Sequence, residues 1–156
     1  MKIWVMRHGE AEVMAKSDKD RHLNARGRAQ ASAQGIWLKQ TALGSFDKVL
    51  VSPYVRTRET AELVDQVYAG QLAQKYEFWD GITPYGNAAN VASYLALLAN
   101  QGVQQVLLVS HLPLVGEIVS EICGANPASF YPSTLVAINW EEGSARGNVE
   151  EIKYPD

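Results

Sequence analysis

The sequence predicts an α/β fold: a three-layer sandwich built on a mostly parallel, mixed sheet with helices on both faces. Three observations predict it. Ile3-Trp4-Val5-Met6, Lys48-Val49-Leu50-Val51 and Gln105-Val106-Leu107-Leu108-Val109-Ser110 are short, nearly continuous apolar runs, the pattern of strands buried on both faces. Segments of helical spacing alternate with them, and that alternation gives parallel pairing through helical crossovers. The last two strand-like segments are joined by a short turn, which makes an antiparallel hairpin on one sheet edge.

The elements follow in order. Residues 2–6 form the first strand, and Gly9 lets the chain turn away from it. Residues 10–26 are polar and lack apolar periodicity, so they read as a charged, solvated loop. A helix spans about Arg28 to Ala42, with Ala29, Ala33, Ile36 and Trp37 on its inner side and Gly44 ending it. After the strand at 48–51, Ser52 as cap and Pro53 at the first position start a helix that runs to about Tyr68. Thr60, Leu63, Val64 and Val67 lie at helical intervals from Arg56, which places Arg56 on the core-facing stripe and Arg58 toward solvent. Leu72 to Phe78 is a weaker third strand. Asn87 or Asn90 caps a helix carrying Val91, Leu95 and Leu98. The strand at 105–110 runs into His111-Leu112-Pro113. Pro113 opens a helix with Leu114, Val115, Ile118, Val119 and Ile122 inward, closed by Gly124. Thr134 to Trp140 and Asn148 to Tyr154 make the final hairpin.

Length and composition narrow the function classes. The 156 residues suit one domain, 1–156, with a real core. A net charge of −3 argues against a nucleic-acid binder. No segment has the length and apolarity of a bilayer span or a signal peptide, and a single cysteine, Cys123, rules out an internal disulfide. A reducing, cytoplasmic setting fits. Cys123 falls in an apolar helical pattern and reads as a buried, inert thiol.

Three strands end in chemistry-bearing residues. The first delivers Arg7 and His8, the second Ser52 and, one helical turn on, Arg56, and the fourth His111. In a parallel sheet those ends share one edge, where open α/β sheets place their ligands. Arginines stay charged and present forked donors that match phosphate oxygens. Two helices direct their amino ends to the same edge. A histidine is a good nucleophile toward phosphorus near neutral pH, because its unprotonated form is well populated. No carboxylate cluster spaced for Mg²⁺, no HExxH, no CxxC and no Walker-type glycine loop occurs. Neither a metal nor a cofactor is predicted; the arginines and histidines carry the charge neutralisation.

These motifs resemble a known family. Arg7-His8-Gly9-Glu10 is similar to the first signature of the histidine phosphatase superfamily, the phosphoglycerate-mutase-like fold. Ser52-Pro53-Tyr54-Val55-Arg56-Thr57-Arg58-Glu59-Thr60-Ala61 resembles its second signature and Val109-Ser110-His111 its third. Thr83-Pro84-Tyr85-Gly86 and His111-Leu112-Pro113-Leu114-Val115-Gly116 look more narrowly like its bacterial phosphohistidine phosphatases. The resemblance implies that His8 attacks phosphorus and becomes phosphohistidine, that Arg7, Arg56 and His111 hold the phosphoryl oxygens, and that Arg21 lies near the phosphate. His22-Leu23-Asn24 departs from the Pro-Leu-Thr of many members.

Many relatives carry a glutamate that protonates the leaving group. Asp80 is an approximate match for it; Asp18 and Glu10 are the other candidates. A phosphohistidine substrate tolerates a weak acid, since imidazole, with a pKa of roughly 6.5, leaves far more easily than an alkoxide. The connections after the second and third strands are short, without the large lid insertion of mutases and sugar phosphatases. An uncovered site admits a phosphorylated side chain of another protein, such as a phosphotransfer domain or a phosphotransferase component. The resemblance therefore implies a phosphohistidine phosphatase, and a monomer is expected because no long apolar surface stripe is left over. The alternatives are a phosphomonoesterase of small metabolites, favoured if Asp80 points into the site, and a non-catalytic phosphoprotein-binding module, which would not need the nucleophile.

Overall fold

The computed structural model describes all 156 residues, Met1–Asp156. Six strands, β1 (Lys2–Arg7), β2 (Lys48–Val51), β3 (Tyr76–Phe78), β4 (Gln105–Ser110), β5 (Leu135–Asn139) and β6 (Asn148–Lys153), form one sheet in the order β3-β2-β4-β1-β5-β6. β3, β2, β4 and β1 pair in parallel. β5 runs antiparallel to β1 and β6 antiparallel to β5, which is the expected edge hairpin.

The helices are α1 (Ala25–Thr41), α2 (Val55–Val67), α3 (Ala88–Asn100) and α4 (Leu114–Cys123). Alternate side chains of each central strand feed two separate cores. Trp4, Met6, Val49, Val51, Leu107 and Val109 pack with Leu38 of α1 and Ala61 and Val64 of α2. Ile3, Val5, Leu50, Val106 and Leu108 pack on the other face with Val91, Leu95 and Leu98 of α3 and Leu114, Val115, Ile118, Val119 and Ile122 of α4. This two-sided burial is why the strands read as unbroken apolar runs.

Several local expectations need correction. α1 begins at Ala25, because the Asn24 side chain accepts from the Gly27 N–H at 2.8 Å and caps it, and it ends at Thr41, before Gly44. Its inner face is also turned: Gly27, Ala31, Gln34, Gly35 and Leu38 are buried, whereas Ala29, Ala33 and Ile36 face solvent. The glycines let α1 approach neighbouring backbone, and the Gln34 amide is buried because it donates to the carbonyls of Ser133 and Lys153. α2 begins three residues after Ser52, which does not cap it. Residues 73–75 form a 3₁₀ turn, leaving only Tyr76–Phe78 as strand. Asn87, not Asn90, caps α3. Gly124 closes α4 at φ +85°.

Candidate active site

The register of the sheet brings the two histidines together. Arg7 pairs with Ser110 across β1 and β4, so His8 and His111 are the next residues on adjacent parallel strands. Their rings meet edge to face with centroids 5.2 Å apart. His8 is 7% exposed and His111 1%. They wall a cavity of about 310 Å³ with Arg7, Arg56, Arg21, Asp18 and Glu10; Ala11, Pro84, Leu112 and Pro132 complete its lining. A larger cleft of about 490 Å³ lies at the opposite sheet edge, beside Met1 and Trp140, and holds no arginine or histidine.

The His8 ring is fixed and uncharged. Its Nδ1 donates to the Gly9 carbonyl at 2.6 Å, so that nitrogen carries the proton and Nε2 keeps a free electron pair. Burial, reinforced by the charges of Arg56, Arg7 and Arg21, holds the His8 pKa down at about 3, against the smaller upward pull of the Gly9 bond. Burial, then His8 and the arginines, holds His111 at about 2. Both rings are therefore neutral at pH 7.

Arg56, 3% exposed, is the pivot of the cluster. Its Nε donates to His8 Nε2 at 3.3 Å, its Nη1 to the Asp18 carbonyl at 2.7 Å and its Nη2 to Asp18 Oδ2 at 3.2 Å. The Tyr54 ring stacks under the guanidinium at 5.0 Å. Arg7 Nη1 donates to the Phe130 carbonyl at 2.8 Å, while its buried Nε has no protein partner. Arg21 Nε donates to Asp18 Oδ1 at 2.9 Å, and its Nη1 to the Glu12 carbonyl at 3.0 Å. Three guanidinium groups thus converge on one small cavity, an arrangement that suits a multiply charged oxyanion.

The acid candidates separate. Asp18 is an arginine clamp: although partial burial pushes its pKa up, hydrogen bonds and charge from Arg21 and Arg56 outweigh this and hold it below the usual carboxylate range. A carboxyl held that firmly as an anion is a poor proton donor. Asp80 does not reach the cavity. It is exposed in a 3₁₀ turn after edge strand β3, which β2 and β4 separate from β1, and is absent from the lining. Glu10 does line the cavity and pairs with Arg26 at 3.6 Å. Cys123 is half-buried, with its thiol pKa raised by burial, and lies on α4, away from this edge.

Several supporting residues escape a reading of the sequence. Thr60, on the core stripe of α2, accepts from the Gly9 N–H at 3.0 Å and donates to the Arg56 carbonyl at 2.8 Å, tying the segments that carry His8 and Arg56 together. Glu59 accepts from Leu23 N–H and lies 2.8 Å from His22 Nδ1, which anchors the loop carrying Asp18 and Arg21. Polar residues on an otherwise apolar stripe are the signal that could have marked Thr60. Gly9 is not a left-handed turn residue; a Cβ there would sit 2.6 Å from the Gly27 carbonyl oxygen. Gly27 in turn faces the Glu10 backbone, where a Cβ would lie 2.0 Å from the carbonyl oxygen. Ser133, at φ +67°, donates its N–H to the His8 carbonyl at 3.0 Å.

The chain is similar to several known proteins. The model of the histidine phosphatase superfamily (branch 1) matches residues 3–83. A phosphohistidine phosphatase SixA homolog of Haemophilus influenzae is 54% identical over 97% of this chain and 93% of its own. Phosphohistidine phosphatase SixA of Escherichia coli is 37% identical over 91% of this chain and 87% of its own. The solved structure of the protein histidine phosphatase SixA complexed with tungstate superposes with a TM-score of 0.90, at 35% identity, covering 97% of this chain and 96% of that one.

Proposed function

The chain belongs to the histidine phosphatase superfamily, and from that premise we propose that it is a phosphohistidine phosphatase acting on partner proteins, with His8 as its nucleophile. The observation that carries this reading is the state of His8: neutral, with Nδ1 tied to Gly9 and Nε2 facing the arginines.

The chemistry follows from the atoms in place. The lone pair of His8 Nε2 attacks phosphorus as the bond from phosphorus to the substrate imidazole breaks, and that imidazole leaves carrying a proton gained from solvent. Arg7, Arg56 and His111 hold the phosphoryl oxygens, with Arg21 at the mouth, where fixed positive charge is worth most as charge spreads over those oxygens. Water then attacks the phosphohistidine formed on His8, releasing phosphate and restoring the neutral ring. Arg56 Nε, which rests against His8 Nε2, is placed to turn onto the incoming phosphoryl group.

The acid side of the site supports a protein-histidine substrate. Asp18 is held as an anion, and Asp80, whose entry into the site would favour a small-metabolite phosphomonoesterase, lies outside the cavity, leaving Glu10 as the acid candidate in its lining. The connections after β2 (residues 52–54) and β3 (residues 79–87) are short and carry no large insertion that could form a lid. A monomer acting on the phosphohistidine of a phosphotransfer domain fits that shape.

The test is phosphate release from a histidine-phosphorylated phosphotransfer domain beside an aryl phosphate, with His8→Ala as control. Fast release from the protein, slow release from the ester and no release by His8→Ala is the expected result. Preference for the ester would reverse the substrate assignment, and activity surviving His8→Ala would end the nucleophile assignment.

A further inference from the structure

We propose that Ser52 is a positioning residue that sets the tautomer of His111. Its hydroxyl donates to His111 Nε2, so the ring carries its proton on Nδ1 and offers that N–H to a phosphoryl oxygen. The inference rests on the reading of His111 as a phosphoryl ligand.

Ser52 is fully buried at the end of β2, and its backbone is already spoken for. Its N–H donates to the Val109 carbonyl at 3.1 Å, and its carbonyl accepts from Thr57 Oγ1 at 2.8 Å. Only Oγ is left, and it lies 2.8 Å from His111 Nε2. The other contact of Oγ is a long approach of the Tyr54 N–H at 3.5 Å, which uses the hydroxyl as an acceptor and leaves its hydrogen for the ring.

His111 has two nitrogens and, being neutral, one proton. With Nε2 engaged by Ser52, Nδ1 is the nitrogen left for a ligand, and it is buried without a protein partner. A proton on Nε2 would present a lone pair at Nδ1 to the oxygens of an anion, lone pair against lone pair. A proton on Nδ1 presents a donor. The hydroxyl selects the second state. It also does so without adding charge: a carboxylate at this position would pull a proton onto the ring and raise its pKa. The neighbouring Tyr54 ring, 5.0 Å from the His111 centroid and edge to face, restrains the imidazole on a further side. One short segment therefore orients His111 through Ser52 and Tyr54 and supplies Arg56.

The experiment uses the full chain with ¹⁵N-labelled histidine. The His111 tautomer is read from proton–nitrogen correlations in the wild type, Ser52→Ala and Ser52→Thr, and the affinity for inorganic phosphate is measured on the same samples and on His111→Ala. The expected result is an Nδ1–H ring in the wild type and a shift toward Nε2–H in Ser52→Ala. Phosphate affinity falls about tenfold with it, the size of one hydrogen bond to a charged group, and both readouts recover in Ser52→Thr. An Nε2–H ring in the wild type overturns the proposal, as does a Ser52→Ala ring that keeps the wild-type tautomer. If Ser52→Ala does not fold, the wild-type tautomer decides. Undiminished phosphate affinity in His111→Ala would instead overturn the role of His111 as a ligand, a failure distinguishable from that of Ser52.

Discussion

Holding two neutral histidines beside three arginines should make the fold sensitive to acid in a way that a single substitution can isolate. The pKa of His8 is about 3 in the folded chain, against roughly 6.5 for an unperturbed histidine. Between those values the unfolded chain binds a proton that the folded chain refuses, so stability is full above about pH 6.5 and falls as pH drops toward 3. At 1.36 kcal/mol per pH unit, His8 alone removes about 2 kcal/mol between pH 7 and pH 5. His8→Asn keeps an N–H near the Gly9 carbonyl but cannot titrate. Urea unfolding of wild type and variant at the two pH values cancels the common carboxylate background. The wild type should lose about 2 kcal/mol more than the variant, a relative midpoint shift of roughly 1 M urea. Parallel pH dependences would show that His8 titrates normally in the fold, and would refute the claim that it is a neutral nucleophile by virtue of burial.

Two other outcomes follow from the geometry. Arg56→Ala should lower kcat by about 10²- to 10³-fold, as loss of a donor to developing charge does. Its urea midpoint should move little, because the lost bonds to Asp18 are offset by relief of a buried guanidinium lying close to Arg21 and Arg7, and Asp18 keeps Arg21. Gly27→Ala places a Cβ 2.0 Å from the Glu10 carbonyl oxygen, backbone against backbone. It should cost about 1–3 kcal/mol in calorimetry, despite alanine's better helix propensity. The same change should slow turnover, since the strand end that carries His8 must shift.

What the sequence made legible was whatever depends on period and strand order. Continuous apolar runs marked β1, β2 and β4, and parallel topology alone places Arg7, His8, Arg56 and His111 on one edge. The acid assignments were not legible in the same way. Asp18 and Asp80 are both polar loop residues, and only the fold shows that one folds back between two arginines while the other follows an edge strand. Ser52 stands at the site edge, as the strand ends imply, but it does not cap α2: a serine before a proline is a strong helix-start signal, and here its buried hydroxyl lies against His111 instead. The face of α1 was misread because its buried stripe is made of glycine, alanine and glutamine. Hydrophobic spacing cannot reveal a helix that packs by close backbone approach.

The pairing of Arg7 with Ser110 has one more consequence. The separation of the His8 and His111 rings is inherited from the ladder of β1 and β4, the central strands of the sheet. Amides in such strands exchange with solvent only when the whole molecule opens, whereas a loop such as that carrying Asp18 and Arg21 can detach in small local excursions. The outer clamp can therefore come and go, while the juxtaposition of the two histidines lasts as long as the native state itself.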